Sequence, residues 1–264
     1  MNPKILAIIN LTPDSFSDGG IFLNEKKVFS YLEELQNEGC FGVDLGAVSS
    51  RPGAGFVSED EEWQRLCPIL KVCKKKFPLL KISLDTFRSS ILMKGLDCGV
   101  DILNDIYALS YDSEIAPVAA KAQIPVVLMH MKGVPATMQK KVIYNDVVEE
   151  VCAFFKNRLA YAKSFGIKKC ILDPGIGFGK KLSHNLSLLK TLKRLQVSDC
   201  SMMLGSSRKS FISDLKPCLP HERLGGSLAS LLWGFQEGVE YFRVHDYFES
   251  QQALRVWKKI KDVK

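Results

Sequence analysis

The sequence lacks the cysteine patterns that mark disulfide scaffolds and zinc sites. No two cysteines form a Cys-x-x-Cys pair, and no cysteine and histidine run has zinc spacing. Most cysteines lie in apolar segments, where a free thiol behaves as a small hydrophobic side chain. The eight are Cys40, Cys67, Cys73, Cys98, Cys152, Cys170, Cys200 and Cys218. This usage predicts a reducing compartment, the cytoplasm.

Long hydrophobic runs and nucleic-acid patterns are also missing. The apolar run that ends at Asn10 is too short for a signal peptide or a membrane span. The net charge is +7, but no stretch interleaves basic residues with aromatic ones as a nucleic-acid groove would. We therefore expect small-molecule partners, with no nucleic acid or membrane. A modest positive balance favours an anionic substrate.

What the sequence does contain is a repeated alternation of short β-branched runs and longer helical patterns. Strands are predicted over residues 5–9, 41–45, 81–84, 101–103, 125–129, 169–172, 202–204 and 241–244. Helices are predicted after them over residues 25–38, 59–75, 89–96, 114–121, 146–165, 186–195, 227–236 and 250–261. Eight such units in 264 residues predict one (β/α)8 barrel domain over residues 1–264, and an open doubly wound sheet is the alternative.

Polar residues follow nearly every predicted strand, at the barrel end where active sites lie. Taken singly, an Asp after a strand is more often a helix cap, and His130, Asp105 and Asp246 are plausible structural residues. Capping does not explain why polar side chains follow almost every strand. Several uncompensated charges buried at one end of the barrel would be costly without a ligand or pairing among them.

The residue types at these strand ends indicate the ligand. Asp85, Asn104 and Asp173 can pair with a heterocycle that offers amino and ring N–H groups. A second set is cationic and suits phosphate or diphosphate; it comprises Arg51, Lys209, Arg243 and His245. Asn10 offers an oxygen to a hard cation such as Mg²⁺. The glycine-rich run at residues 175–181 does not have the spacing of a P-loop.

Together these segments resemble the dihydropteroate synthase family. The first is NLTPDSFSDGG at residues 10–20, and the second is SSRPGA at residues 49–54. The others follow in the family's order: Asp85-Thr86, Asn104-Asp105, DPGIGFGK at residues 173–180, SRKS at 207–210 and RVHD at 243–246. The first segment and the DPGIGFGK run are specific, and the match extends from Asn10 to Asp246.

The resemblance implies a reaction and a cofactor. A dihydropterin that carries a diphosphate on its exocyclic methylene loses diphosphate, and the arylamine of p-aminobenzoate replaces it. Mg²⁺ is the implied cofactor, with Asn10 as its ligand. A homodimer and sensitivity to sulfonamides, which mimic p-aminobenzoate, are family properties.

The resemblance also implies roles for individual residues. The implied pterin site comprises Asp85, Asn104, Met129, Asp173, Lys209 and Arg243. The implied diphosphate site comprises Asn10, Ser50, Arg51, Arg243 and His245. The implied p-aminobenzoate site comprises Phe16, Pro52, Phe178, Lys209 and Ser210. The implied catalytic residues are Asp85, Asp173, Lys209 and Arg243, with Asp18 contributing when the first loop closes.

The second segment departs from the family pattern. The family reads Gly-Gly-Glu-Ser-Thr-Arg-Pro, whereas this chain has Val48 in place of the acid and Ser50 in place of the threonine. This departure keeps open a pterin-binding barrel that no longer makes dihydropteroate. A barrel that transfers a methyl group from a folate to a corrinoid protein is a further candidate, and so is a phosphate-binding barrel with unrelated chemistry.

Overall fold

The chain forms a closed barrel of eight parallel strands, which confirms the predicted fold class. The structure is a computed structural model, and it describes residues 2–12, 25–49, 55–135, 137–139 and 142–263. Neighbouring strands are paired in chain order, and β8 closes against β1. The strands are β1 Lys4–Asn10, β2 Gly42–Gly46, β3 Lys81–Asp85, β4 Ile102–Asp105, β5 Val126–Met129, β6 Cys170–Asp173, β7 Ser201–Leu204 and β8 Tyr241–Val244.

Helices surround the barrel. They are α1 Glu25–Asn37, α2 Glu59–Lys76, α3 Ser89–Asp97, α4 Ile115–Ala122, α5 Val147–Ser164, α6 Leu182–Lys190, α7 Leu192–Leu195, α8 Ser210–Leu215, α9 Leu224–Gln236 and α10 Tyr247–Asp262. Caps define several of their starts: Ser58 accepts a hydrogen bond from the N–H of Glu61, and Asp146 accepts from Val148 and Glu149. In the part of the chain that the structure describes, no helix is long and apolar enough to cross a membrane.

Two helices differ from the sequence prediction. The apolar periodicity predicts a single helix over residues 186–195, but the structure has α6 and α7 with a break at Thr191. The Thr191 hydroxyl donates to the carbonyl of Ser187 at 2.8 Å, a local bond of the kind that bends or interrupts helices. The short helix α8 is absent from the prediction, because six residues carry too little periodicity.

Side chains alternate between the inside and the outside of the barrel along each strand. Outward residues such as Val43, Leu84 and Leu128 pack in the main core between the strands and the helices. Inward residues near the amino-terminal ends form a separate apolar plug of Leu6, Ile102, Val127, Ile171, Met203 and Tyr241. The next inward position on several strands is polar. The barrel is therefore filled by apolar packing at one end and by hydrogen-bonding groups at the other.

Candidate active site

Asp44 lies at the centre of the polar layer inside the barrel. It is the third residue of β2 and is fully buried. Its Oδ1 accepts from the hydroxyl of Ser83 at 2.5 Å, and its Oδ2 accepts from Nδ2 of Asn104 at 3.0 Å. The carboxylate thereby connects β2 to β3 and β4, and it fixes the orientation of the Asn104 amide.

Arg243 joins this layer from β8. Its Nε donates to Oδ2 of Asp44 at 2.5 Å, and its second guanidinium nitrogen donates to Oδ2 of Asp85 at 2.9 Å. Burial raises the pKa of Asp85 to about 7, and the attraction of Arg243 opposes this rise while the charge of Asp44 adds to it. Two carboxylates therefore share one guanidinium at the carboxyl ends of the strands.

The open end of the barrel, where the strands have their carboxyl ends, is called the mouth. Asp173 lies at the end of β6, on the side of the mouth opposite β2. Its Oδ1 accepts from the N–H of Gly175 at 2.7 Å. Burial raises the pKa of Asp173, and this N–H and the nearby Lys209 and Arg243 oppose the rise. A Cβ at Gly205 would lie 3.6 Å from Oδ2 of Asp173 and 3.9 Å from Arg243 Cβ, so this glycine leaves space between the two charged groups.

An apolar cluster lies beside these charges. Met129 and Phe178 are buried together, and Phe87, Tyr107 and Met131 pack against their cluster. Nζ of Lys209 lies 4.0 Å from the centroid of the Phe178 ring. Cation and ring attract one another at this distance. The ammonium of Lys209 therefore lies over the face of a ring that belongs to a buried apolar cluster.

Three other predicted site residues lie around the mouth. His245 follows β8, and its Nδ1 is 3.1 Å from the hydroxyl of Ser207, which also accepts from the His245 N–H. Asn10 is half-buried at the end of β1, in register with Gly46 of β2. Ser210 is exposed at the first position of α8, directly after Lys209. The structure therefore brings all three to the rim of the mouth, around the buried charges.

Three polar residues at the strand ends have structural partners instead, as the sequence allowed. Asp105 accepts from the N–H groups of Tyr107 and Leu109 at 2.8 and 2.7 Å. The ring of His130 packs between those of Phe154 and Tyr144, and Asp246 pairs with Arg208. Along β4 and β5, Asn104 and Met129 share the inward parity of the plug residues, so Asp105 and His130 take the outward parity.

Five predicted residues lie outside the described part of the chain, and their roles stay predictions. They are Phe16, Asp18, Ser50, Arg51 and Pro52. Among the described residues, no group of three or more histidine, cysteine or acidic side chains could hold a metal ion.

The sequence patterns put Asp44 and Lys180 among the strand-end residues without giving them a role, and they do not single out Ser83. The sequence does contain a feature that points to Asp44. It is the one carboxylate in the otherwise apolar run Gly42–Gly46, and it lies two residues before the end of that run. The period of two places Asp44 on the face of β2 that turns to the barrel interior, beside Ser83 of β3. Lys180 is the last residue of the glycine-rich run, and nothing in the neighbouring sequence distinguishes a buried lysine from an exposed one at this position.

The closed barrel and its mouth define a class of protein: an α/β barrel that gathers buried charged and hydrogen-bonding groups at the carboxyl ends of its strands, the end where the active sites of such barrels lie. The family model described as pterin binding enzyme matches residues 6–245. The dihydropteroate synthase of Escherichia coli (strain K12) is 40% identical over 257 residues, which cover 97% of this chain and 90% of that protein.

Solved structures agree with the sequence comparison. Dihydropteroate synthase of Yersinia pestis, in complex with a sulfonamide drug, has a TM-score of 0.93 at 34% identity and covers 99% of this chain and 95% of its own. The enzyme of Xanthomonas albilineans, in complex with 7,8-dihydropteroate, has a TM-score of 0.88 at 33% identity and covers 100% and 95%. The chain belongs to the dihydropteroate synthase family of pterin-binding enzymes.

Proposed function

We propose that the barrel mouth is the place where this chain joins a dihydropterin diphosphate to p-aminobenzoate. The enzyme is a transferase with dihydropteroate synthase activity. The observation that carries the site assignment is the inward layer in which Arg243 bridges Asp44 and Asp85 and Asn104 is held against Asp44. This layer supports the proposal because acceptors that suit a heterocycle lie next to a cation that suits its leaving group.

The pterin is proposed to bind between the two carboxylates Asp85 and Asp173. Together with Asn104 they supply oxygen acceptors for the amino and ring N–H groups of the heterocycle. Met129 forms an apolar wall for its ring. Burial raises the pKa of Asp173, and the charges of Lys209 and Arg243 oppose that rise and so help to keep the acceptor ionised.

The diphosphate is proposed to bind at the β1 and β8 side of the mouth. Arg243 and His245 approach from β8, and Asn10 approaches from the end of β1. Ser50 and Arg51 complete this set by prediction. A guanidinium suits diphosphate oxygens because its planar N–H groups can donate in pairs.

The p-aminobenzoate is proposed to bind over Phe178. The ring of Phe178 and the ammonium of Lys209, 4.0 Å apart, suit an aromatic ring that bears a carboxylate. Ser210 adds a hydroxyl beside Lys209. Phe16 and Pro52 complete the site by prediction.

Magnesium is proposed to be held by Asn10 together with oxygens of the diphosphate and water. Mg²⁺ keeps several waters and binds through few protein oxygens plus substrate phosphates, so a single amide oxygen at the mouth fits this mode. The ion would neutralise negative charge on the leaving diphosphate.

The displacement is proposed to be dissociative. The bond from the methylene carbon to the diphosphate oxygen breaks, and its electron pair leaves with diphosphate. The amine nitrogen then forms the new bond to carbon and releases one proton. Asp85 and Asp173 stabilise the positive charge that develops on the pterin. A preorganised electrostatic contact of this kind is worth about 3–4 kcal/mol, and Asp18 is proposed to add to it when the first loop closes.

We further propose a single domain, a cytoplasmic location and a homodimer for this chain. These three rest on the cysteine usage, the continuous barrel pattern and the family resemblance.

The proposal is tested by following diphosphate release from dihydropterin diphosphate with Mg²⁺, with and without p-aminobenzoate. We expect release to depend on p-aminobenzoate, to yield dihydropteroate and to stop when a chelator removes the metal. Asp173→Asn should reduce turnover strongly, whereas Asp101→Asn is a matched control because Asp101 pairs with Lys74 and Lys81 away from the mouth. Equal losses in both variants would contradict the site assignment.

A further inference from the structure

Lys180 is a buried cation to which the proposed reaction gives no role. It is the last residue of the DPGIGFGK run, and only 3% of it is exposed. Its Nζ donates to the carbonyls of Gly175, Phe178 and His130 at 2.9, 3.0 and 3.1 Å. Among the residues that the structure describes, no carboxylate lies within 4.0 Å of this ammonium.

The three carbonyls match the chemistry of the charged form of lysine. An ammonium has three N–H donors, whereas a neutral amine has two hydrogens and would leave one carbonyl without its partner. Burial lowers the pKa of Lys180 to about 7, and the charge of Asp173 opposes that change. The three backbone carbonyls therefore stabilise the ammonium form of Lys180 in the interior.

The three carbonyls belong to backbone beside proposed substrate residues. His130 directly follows Met129 at the end of β5. Gly175 donates its N–H to Oδ1 of Asp173 at the end of β6. Phe178 carries the ring that lies against Lys209. One ammonium thus fixes the backbone at three points next to three side chains of the site.

The glycines of the run show how close the two segments are. Gly175 and Gly179 have φ of +63° and +60°. A Cβ at Gly175 would overlap the carbonyl oxygen of His130, and a Cβ at Gly179 would overlap that of Lys132. The loop after β6 therefore lies directly on the backbone that follows β5. The ammonium of Lys180 donates hydrogen bonds to carbonyls of both segments.

We propose that Lys180 is a positioning residue that sets the places of Met129, Asp173 and Phe178 in the pterin and p-aminobenzoate sites. This inference rests on the proposed roles of those three residues. The described residues of the proposed diphosphate site lie at the ends of β1 and β8, away from the carbonyls that Lys180 binds, so we expect diphosphate affinity not to depend on Lys180.

The test replaces the ammonium and measures the two halves of the site separately. Lys180→Met keeps most of the length of the side chain and removes all three donors, and Lys180→Gln supplies an amide donor without the charge. A misplacement of about 1 Å can cost on the order of a hundredfold in rate. We expect Lys180→Met to lower kcat/KM by about a hundredfold, to raise KM for p-aminobenzoate and to weaken the binding of a non-reactive pterin. The Gln variant should fall between Met and the wild type.

The readout that separates positioning from general damage is the binding of inorganic diphosphate with Mg²⁺, measured by calorimetry. We expect its dissociation constant to change less than twofold in both variants. The adjacent, exposed Lys181 provides the matched control, since Lys181→Met removes one positive charge without a buried contact.

Unchanged pterin affinity and unchanged KM for p-aminobenzoate in the Lys180 variants would overturn the inference. An equal loss of diphosphate affinity would also overturn it, because it would show general damage. If Lys180→Met does not fold, the Gln variant decides by the same criteria. Asp173→Asn distinguishes a failure of the proposed site from a failure of this inference. If Asp173→Asn binds pterin normally, the proposed pterin site is wrong. If Asp173→Asn binds pterin weakly while the Lys180 variants bind it normally, only the role of Lys180 is wrong.

Discussion

Two regions of the barrel mouth stabilise buried charge in different ways. In the Arg243 network, which comprises Asp44, Ser83, Asp85, Asn104 and Arg243, polar and charged side chains from four strands bind one another. In the Lys180 junction, which comprises Lys180 and the carbonyls of His130, Gly175 and Phe178, an ammonium binds only backbone. Neither region is part of the apolar packing of the core.

The difference teaches which parts of the site can respond to a ligand. Side-chain pairs exchange partners by rotation, so Arg243 and Asp85, each with side chains 18% exposed, can turn toward a heterocycle and a diphosphate. Backbone carbonyls are set by the strands and the loop, so the Lys180 junction offers no such exchange. We infer that the Arg243 network binds the ligands and that the Lys180 junction keeps the neighbouring backbone in place.

The largest expected effect comes from removing the cation of the Arg243 network. Arg243→Leu leaves the fully buried Asp44 without its counter-ion, and breaking a buried pair in this way costs about 3–5 kcal/mol of folding free energy. Urea denaturation measures the loss. The double variant Arg243→Leu with Asp44→Leu should recover part of it. A double variant that is no more stable than Arg243→Leu would contradict the pairing.

Asp85→Asn tests the catalytic role of the same network with a smaller change. The amide keeps the shape of the side chain but loses the charge that stabilises the developing cation. We expect turnover to fall by about a hundredfold, while the affinity for diphosphate changes little. Steady-state kinetics and calorimetry of diphosphate binding separate the two quantities. Equal losses in both would argue that Asp85 acts on the leaving group.

Gly175→Ala tests how rigid the Lys180 junction is. The new Cβ meets the carbonyl of His130, and the positive φ adds strain, so we expect a loss of about 1–3 kcal/mol in the free energy of unfolding. Gly238→Ala is the matched control, because Gly238 also has a positive φ of +92° but no atom within 4 Å of its Cβ position. Similar losses in both variants would show that the junction can shift to accept the methyl group.

The last comparison concerns Asp105, a carboxylate held by backbone N–H groups as Lys180 is held by carbonyls. Burial raises its pKa to about 6, so the folded state binds its proton more tightly than the unfolded state does. This group therefore makes stability fall as pH rises from about 4 to 6, by at most about 1.4 kcal/mol per pH unit.

Asp105→Asn removes this titration, and the comparison with the wild type isolates it. The variant should lose less stability than the wild type between about pH 4 and 6 in urea denaturation. Identical pH slopes would show that Asp105 does not titrate in this range.

Much of the site can be read from the strand ends because parallel strands bring their carboxyl ends to one edge. This rule predicts Asp85, Asn104 and Asp173, and the structure places all three at the mouth. The break at Thr191 and the helix α8 escape prediction, because each depends on a few local bonds that a pattern of apolar residues does not record.

The roles of Asp44 and Lys180 escape prediction for a different physical reason. A carboxylate within a short strand and a lysine after a glycine-rich turn have the same letters whether they are buried or exposed. Their roles arise from partners 39 to 199 residues away for Asp44 and up to 50 residues away for Lys180. No local window contains the partners of Asp44 or the His130 carbonyl that binds Lys180.

By itself, the sequence determined the eightfold alternation of strands and helices, the period of two that divides each strand into an inner and an outer face, and the residue types at the strand ends. Only the tertiary structure decided which carboxylates share Arg243 and which carbonyls surround Lys180. The reason is that burial and pairing of charge depend on the assembled barrel, in which closure brings β8 beside β1 and the loops after β5 and β6 come into contact.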